Sequence, residues 1–167
     1  MLLDTIKRVA NLARARVHVY CSFRLRVFPV WPSMGTSAIR CQANIITSAH
    51  KELTGANSYF AQVIFNKNNY ASHFIGGKMV KSKELFILGN IRSGRSAKIK
   101  KKLAETIRDR IIRKTKFKKD NIWIYIIDIK PDQMIEYGEI LPRSGNEKNW
   151  FRNLHPSLKK RLRKIGL

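Results

Sequence analysis

Val17, Val19, Cys21, Phe23, Leu25 and Val27 alternate with His18, Tyr20, Ser22, Arg24 and Arg26, the period of two expected of a strand with one buried face. Pro29, Pro32 and Gly35 punctuate a turn. Thr36 or Ser37 can then cap a helix that runs to about Leu53 and is ended by Gly55. Tyr59 to Phe65 is rich in β-formers and predicts a second strand, followed by a loop with Asn66 to Tyr70 and Gly76-Gly77. The order then recurs. Glu84 to Ile91 predicts a strand, Ser96 caps a long helix with Ile99, Leu103, Ile107 and Ile111 at every fourth position, and Asn121 to Ile127 predicts the strand after it. Two strand–helix–strand units with right-handed crossovers give a four-stranded sheet with two helices on one face, an α+β fold of two layers built by internal duplication.

The pattern changes outside these units. Met1 to about Ala15 sets Leu2, Ile6, Val9 and Ala13 on one helical face among Lys7, Arg8 and Arg14. This basic amphipathic extension reads either as a transit peptide or as an ordinary surface helix or frayed terminus. After Asp128, Pro131 starts a short turn or helix carrying Gln133 to Gly138. Trp150-Phe151 read as packing residues, within the domain or across a subunit contact, and a last basic helix spans about Pro156 to Ile165. The expected division is a basic extension over 1–16, a main domain over 17–155 with its units at 17–66 and 84–128, and a basic C-terminal helix over 156–167.

Composition narrows the function classes. The chain has 167 residues, 44% hydrophobic and 10% aromatic, enough apolar side chain for a buried core and too much for a disordered tail. Every apolar stretch is interrupted well short of the roughly 18 residues of a membrane span. Cys21 and Cys41 lack CxxC or Cys/His spacing, which argues against a disulfide framework or structural zinc and suits a reducing compartment. A cytoplasmic location is expected, or a mitochondrial one if residues 1 to about 22 act as a transit peptide.

Lys and Arg number 34 against 11 Asp and Glu, a formal charge of +23. Much of the excess lies between Arg92 and Lys119 and in the tail from Arg152 onward. Such a field attracts nucleic acid, anionic membrane or small anions alike, and charge by itself does not choose among them. Without an RNP-like strand, a GXXG loop between helices or zinc-finger spacing, any nucleic-acid binding is expected to be non-specific and salt-sensitive.

Arg92 and Arg95 fall where the third strand hands over to the second helix. Backbone N–H groups and the helix dipole favour an anion there, and two guanidiniums add forked donors suited to a carboxylate. By spacing alone they read first as two solvated arginines in a basic chain.

The stretch IRSGRSAKIKKKLAETIRDRI, followed by NIWIYIIDIKPDQMIEYGEILPRSGNEKNWFRNL, resembles the cis-3-chloroacrylic acid dehalogenase family of the tautomerase superfamily. The likeness runs from about residue 37 to about 160, and TSAHKELTG and FAQVIF match the first half. It implies a tautomerase fold, a homotrimer, a small carboxylate substrate and a site with no metal and no organic cofactor. His50, Arg92 and Arg95 occupy the family's substrate-binding positions, and Tyr125 and Glu136 those that orient and activate water. Arg92 and Arg95 would hold the carboxylate and polarise a conjugated C=C, while Glu136, aided by the Tyr125 hydroxyl, would accept a proton from water.

The family's chains begin with a proline whose secondary amine is the central catalyst. Counting back from His50, that position holds Phe23, and Pro29 and Pro32 are internal amides without a basic nitrogen. Two readings stay open: the functional N-terminus lies elsewhere, or the pocket persists without its catalyst. The expected activity is tautomerisation or hydration of an unsaturated or 2-oxo carboxylate, with a catalytically silent binding protein and a non-specific polyanion binder as alternatives.

Overall fold

The computed structural model describes residues 24–29, 35–66 and 73–166. The N-terminal extension, the transit segment, Cys21, Phe23 and most of the loop at Asn66 to Tyr70 lie outside the described residues.

Strands β1 (Arg24–Pro29), β2 (Gln62–Phe65), β5 (Leu85–Arg92) and β6 (Ile122–Ile129) form one sheet in the order β2-β1-β5-β6. β1 pairs parallel with β2 and β5 parallel with β6, while β1 and β5 meet antiparallel at the centre. Helix α1 (Thr36–Thr54) connects the first parallel pair and α2 (Ala97–Lys114) the second. The fold is thus α+β with duplicated β-α-β units. Since each helix runs opposite to its strands, the antiparallel centre makes α1 and α2 antiparallel too.

The helices cover one sheet face because their apolar residues form stripes. Gln42, Ile45, Ile46, Ala49 and His50 are the buried positions of α1, and Leu103, Ile107 and Ile111 those of α2. They close on Leu85, Ile87 and Ile91 of β5, with Ile122, Ile124 and Ile126 of β6 half-buried alongside. On the other face, Trp123, Tyr125 and Ile127 are exposed.

Local chemistry moves several boundaries. Gly35 stands at the N-cap of α1, one residue before the expected Thr36 or Ser37, and makes no side-chain cap. Gly55 ends α1 at φ +68°, as its sequence position predicts. Ser96 Oγ accepts from Ile99 N at 3.2 Å and caps α2. The second strand starts at Gln62, later than expected, because Ser58–Phe60 is a 3-10 turn that buries Tyr59 and Phe60. Gly76-Gly77 turn a short hairpin, β3 (Phe74–Ile75) with β4 (Lys78–Met79).

After a 3-10 turn at Pro131–Gln133, a second hairpin pairs β7 (Ile135–Glu136) with β8 (Glu139–Ile140). Trp150 and Phe151 lie in α3 (Glu147–Asn153), and α4 (Pro156–Gly166) completes the chain's described part. These elements form a second core with Tyr59, Phe60, Met134, Leu141, Leu154 and Leu162. Trp150 packs at 5.5 Å on Phe60 and Phe151 at 6.1 Å on Tyr59.

Leu103 is fully buried at the contact between α2 and the sheet. Leu103→Ala is expected to lower stability by about 2–5 kcal/mol through lost burial and a residual cavity, read as a lower urea midpoint with unchanged slope.

Candidate active site

β5 ends at Arg92, whose side chain points to the face opposite the helices because it alternates with Ile91. The guanidinium is 3% exposed. A buried cation must be compensated, and three groups do so. Nη2 donates to Glu147 Oε1 in an ion pair, Nη1 donates to the Pro142 carbonyl at 2.7 Å, and the Phe60 ring lies 5.5 Å away. Glu147 also accepts from Gly145 N at 2.9 Å.

The loop from β5 to α2 makes this approach possible. Gly94 has φ +109°, and a Cβ there would lie 3.1 Å from Ser144 Cβ, so glycine lets the loop sit against the segment that supplies Pro142 and Glu147. Arg95 follows, its Nη1 donating to the Arg92 carbonyl at 2.8 Å. Burial, then the Arg92 charge, lowers its pKa, yet an arginine stays protonated. The Nε donors of Arg92 and Arg95 are buried and have no acceptor among the described residues. A cleft of about 670 Å³, lined in part by Ser93, Gly94, Lys130 and Arg143, opens against the same loop.

His50 comes to this end as the last position of the α1 stripe. It is 2% exposed, and its Nε2 lies 3.5 Å from Thr54 Oγ1. Burial first, then the charges of Arg95 and Arg92, push its pKa down to about 3. His50 is therefore a neutral imidazole at physiological pH. It offers one donor and one acceptor and adds no positive charge to the arginines.

His50, Arg92 and Arg95 thus meet at one end of the sheet. Tyr125 does not join them within one chain. It pairs with Leu88, four residues from Arg92, or about 13 Å of strand rise. It is exposed on the open face, edge-on to Phe86 at 5.0 Å. Glu136 sits on the β7–β8 hairpin beside Tyr137, whose pKa is raised by burial and then by the Glu136 charge. Tyr137 adopts φ +55° at the hairpin turn and donates its hydroxyl to the Tyr59 carbonyl at 2.6 Å. The hairpin is therefore tied to the aromatic cluster beneath Arg92.

Sequence reasoning missed Glu147, Pro142 and Phe60. Glu147 being the only acid after Glu139 was a readable hint of the first. The other two act through a carbonyl and a ring face, which carry no sequence signal. Among the described residues, no group of three or more His, Cys, Asp and Glu could hold a metal ion, and no helix is long and apolar enough to cross a membrane.

The depressed His50 pKa has a thermodynamic consequence. The native state refuses a proton that the unfolded chain accepts near pH 6.5. The contribution is present above that pH and is lost as pH falls toward 3. Urea unfolding between pH 7 and 3 is expected to show His50→Gln losing less stability on acidification than the parent, by a few kcal/mol (about 1.4 per pH unit).

No protein-family model matches the chain, and no curated protein matches it. Solved structures do. The crystal structure of N1, a member of the cis-3-chloroacrylic acid dehalogenase family, is 29% identical with a TM-score of 0.81, over 84% of this chain and 99% of that one. Native Ps01740 is 23% identical with a TM-score of 0.63, over 68% of this chain and 99% of its own. A fused 4-OT asymmetric trimer is 17% identical with a TM-score of 0.64, over 70% and 94% respectively. The last two speak for the fold. With the duplicated units above and the extent of the match to N1, the chain is a tautomerase-superfamily protein similar to the cis-3-chloroacrylic acid dehalogenase family.

Proposed function

We propose that the chain binds a small unsaturated or 2-oxo carboxylate at the His50–Arg92–Arg95 end of the sheet and acts on it by proton transfer or water addition. The observation that carries this reading is the pair of buried arginine Nε donors without acceptors. A buried N–H left unpaired is costly, and a carboxylate would satisfy both. Arg95 is the more direct anchor. Arg92 is already neutralised by Glu147 and held by the Pro142 carbonyl, so it sets the field and position of Arg95 through its own carbonyl. Neutral His50 then serves as a hydrogen-bonding partner to the carboxylate or adjacent carbonyl oxygen.

Glu136 would accept the proton from water attacking the conjugated carbon, and Tyr125 would orient that water. Since Tyr125 lies on the open sheet face, it would serve the site of a neighbouring protomer. A homotrimer follows from the same face, where exposed Trp123, Tyr125 and Ile127 need cover. The fused 4-OT structures, symmetric and asymmetric, are trimers and share this fold.

Moving a proton at carbon calls for a group that is basic or acidic near neutral pH. His50, at about 3, is poorly suited to it. The family's amine falls at position 23, which is Phe23 in this chain. That residue favours the second reading, a pocket that binds carboxylates with little turnover.

Two experiments test these readings. Sedimentation at micromolar concentration is expected to give a trimer, and Ile127→Glu a smaller species; a monomeric parent would overturn the assembly. For chemistry, phenylenolpyruvate tautomerisation and unsaturated-acid hydration are compared in the full chain and in a chain starting at position 23 with Phe23→Pro. The second is expected to gain about 10²- to 10⁴-fold. Arg95→Ala in either is expected to weaken carboxylate binding about 10- to 100-fold, and Glu136→Gln to slow hydration with binding kept. Carboxylate binding absent in both chains, or unchanged by Arg95→Ala, would reject the site.

A further inference from the structure

A second groove lies away from the arginine end. It runs between α1 and α2 on the outer surface of the helix layer, with a volume of about 920 Å³. Arg40 from α1 and Arg110, Arg113 and Lys114 from α2 line it. Arg110 is committed, donating to Glu52 and, at 3.3 Å, to Ser48 Oγ. Arg40, Arg113 and Lys114 are exposed and form no ion pair with a described residue. The nearest acid along the chain, Asp109, pairs with Arg108 at 2.7 Å and also feels the charge of Arg113.

The two helix ends at this groove act in opposite senses, the positive dipole end of α1 adding to the charge and the negative dipole end of α2 offsetting part of it. The first turn of α1 carries no acidic residue and its N-cap makes no side-chain bond, so its positive dipole end adds to the field. At its other wall, Arg113 and Lys114 occupy the last turn of α2. The antiparallel arrangement of α1 and α2 brings these two ends together, about 25 Å along α2 from Arg95.

We propose that this groove is a second binding site, separate from the carboxylate site, that takes the phosphodiester backbone of a nucleic acid without reading its sequence. Guanidiniums grip phosphate oxygens with paired N–H donors. Ser37 and Asn44 on the same wall add neutral donors, the kind that hold phosphates in register. Among the described residues no aromatic side chain lines the groove, so these offer no platform for base stacking or base readout. A membrane surface fits poorly: the apolar lining is Cys41 and buried Ile45, and no exposed apolar rim is there among the described residues to enter a lipid layer. Three cations on two facing helices suit successive phosphates of a strand better than one small anion. The groove lies on the face away from Trp123, Tyr125 and Ile127, so a trimer formed through those residues leaves it open.

The test uses the full chain and a labelled 20-nucleotide single strand of mixed sequence, with binding followed by fluorescence anisotropy between 50 and 200 mM salt. The triple variant Arg40→Gln, Arg113→Gln, Lys114→Gln is compared with a control of equal charge loss on α4, Lys159→Gln, Lys160→Gln, Lys164→Gln. The groove variant is expected to bind at least tenfold more weakly at 50 mM salt and to lose about 2 to 3 units of log–log salt slope. The control is expected to change affinity less than threefold. Ser37→Glu guards against misfolding: an acid in the first turn of α1 favours the helix dipole, so weaker binding with equal or higher thermal stability supports the groove. Equal losses in the groove and α4 variants would overturn the proposal in favour of a diffuse field. Absence of oligonucleotide binding by the parent would overturn it too. So would competition by polyglutamate, tripolyphosphate or anionic vesicles as effective as unlabelled oligonucleotide at matched charge.

Discussion

A strand that ends on a buried guanidinium forces the rest of the molecule to answer for its charge. Arg92 sits at 3% exposure, where an uncompensated cation would cost several kcal/mol. Glu147, the Pro142 carbonyl and the face of Phe60 supply the compensation. Each comes from a different part of the chain: the start of α3, the segment before it, and the 3-10 turn before β2. The C-terminal third is therefore tied to the duplicated core by electrostatic necessity as well as by the apolar packing of Leu154 and Leu162. Breaking the pair by removing Glu147 would leave a buried charge, which is costlier than the worth of the pair itself.

That constraint also divides labour between the two arginines. They lie three residues apart and look alike in sequence, but the charge of Arg92 is neutralised by Glu147, whereas Arg95 donates to the Arg92 carbonyl and has no carboxylate partner among the described residues. His50 is held neutral by burial and by both cations, so the site contains two fixed positive charges and one polar, uncharged ring. Glu147 already offsets one of the two charges. The basic groove on the helix layer has the opposite character, with exposed cations and little compensation. Internal duplication produces both, because two antiparallel helices bring an N-terminus beside a C-terminus at each end of the layer.

The duplication, the stripe of α2 and the caps at Gly55 and Ser96 were legible because each is a local or periodic requirement of the backbone. The burial of His50, four residues after Ile46 in α1, was not legible, since a histidine near a helix end reads as exposed. The second strand's start was not legible. Tyr59 and Phe60 have strong strand preferences, yet they are buried in a 3-10 turn because the aromatic cluster with Trp150 and Phe151 outweighs intrinsic propensity. The short hairpins at Gly76-Gly77 and Tyr137-Gly138 were likewise hidden, being two residues a side and too short to show alternation.

The sequence by itself determined the α+β class, the two β-α-β units and the meeting of Arg92 and Arg95 at a strand-to-helix junction. Their residues are neighbours in the chain and their spacing follows backbone geometry. Tertiary structure decided which arginine is neutralised, that His50 is uncharged, that Tyr125 stands on the open face well short of its own chain's arginine cluster, and that Arg40 meets Arg113 and Lys114 across a groove. Each of these depends on burial or on charges brought together from distant positions, 55 residues apart for Arg92 and Glu147. Desolvation and Coulomb energy act through space, so they become defined when the fold sets the distances.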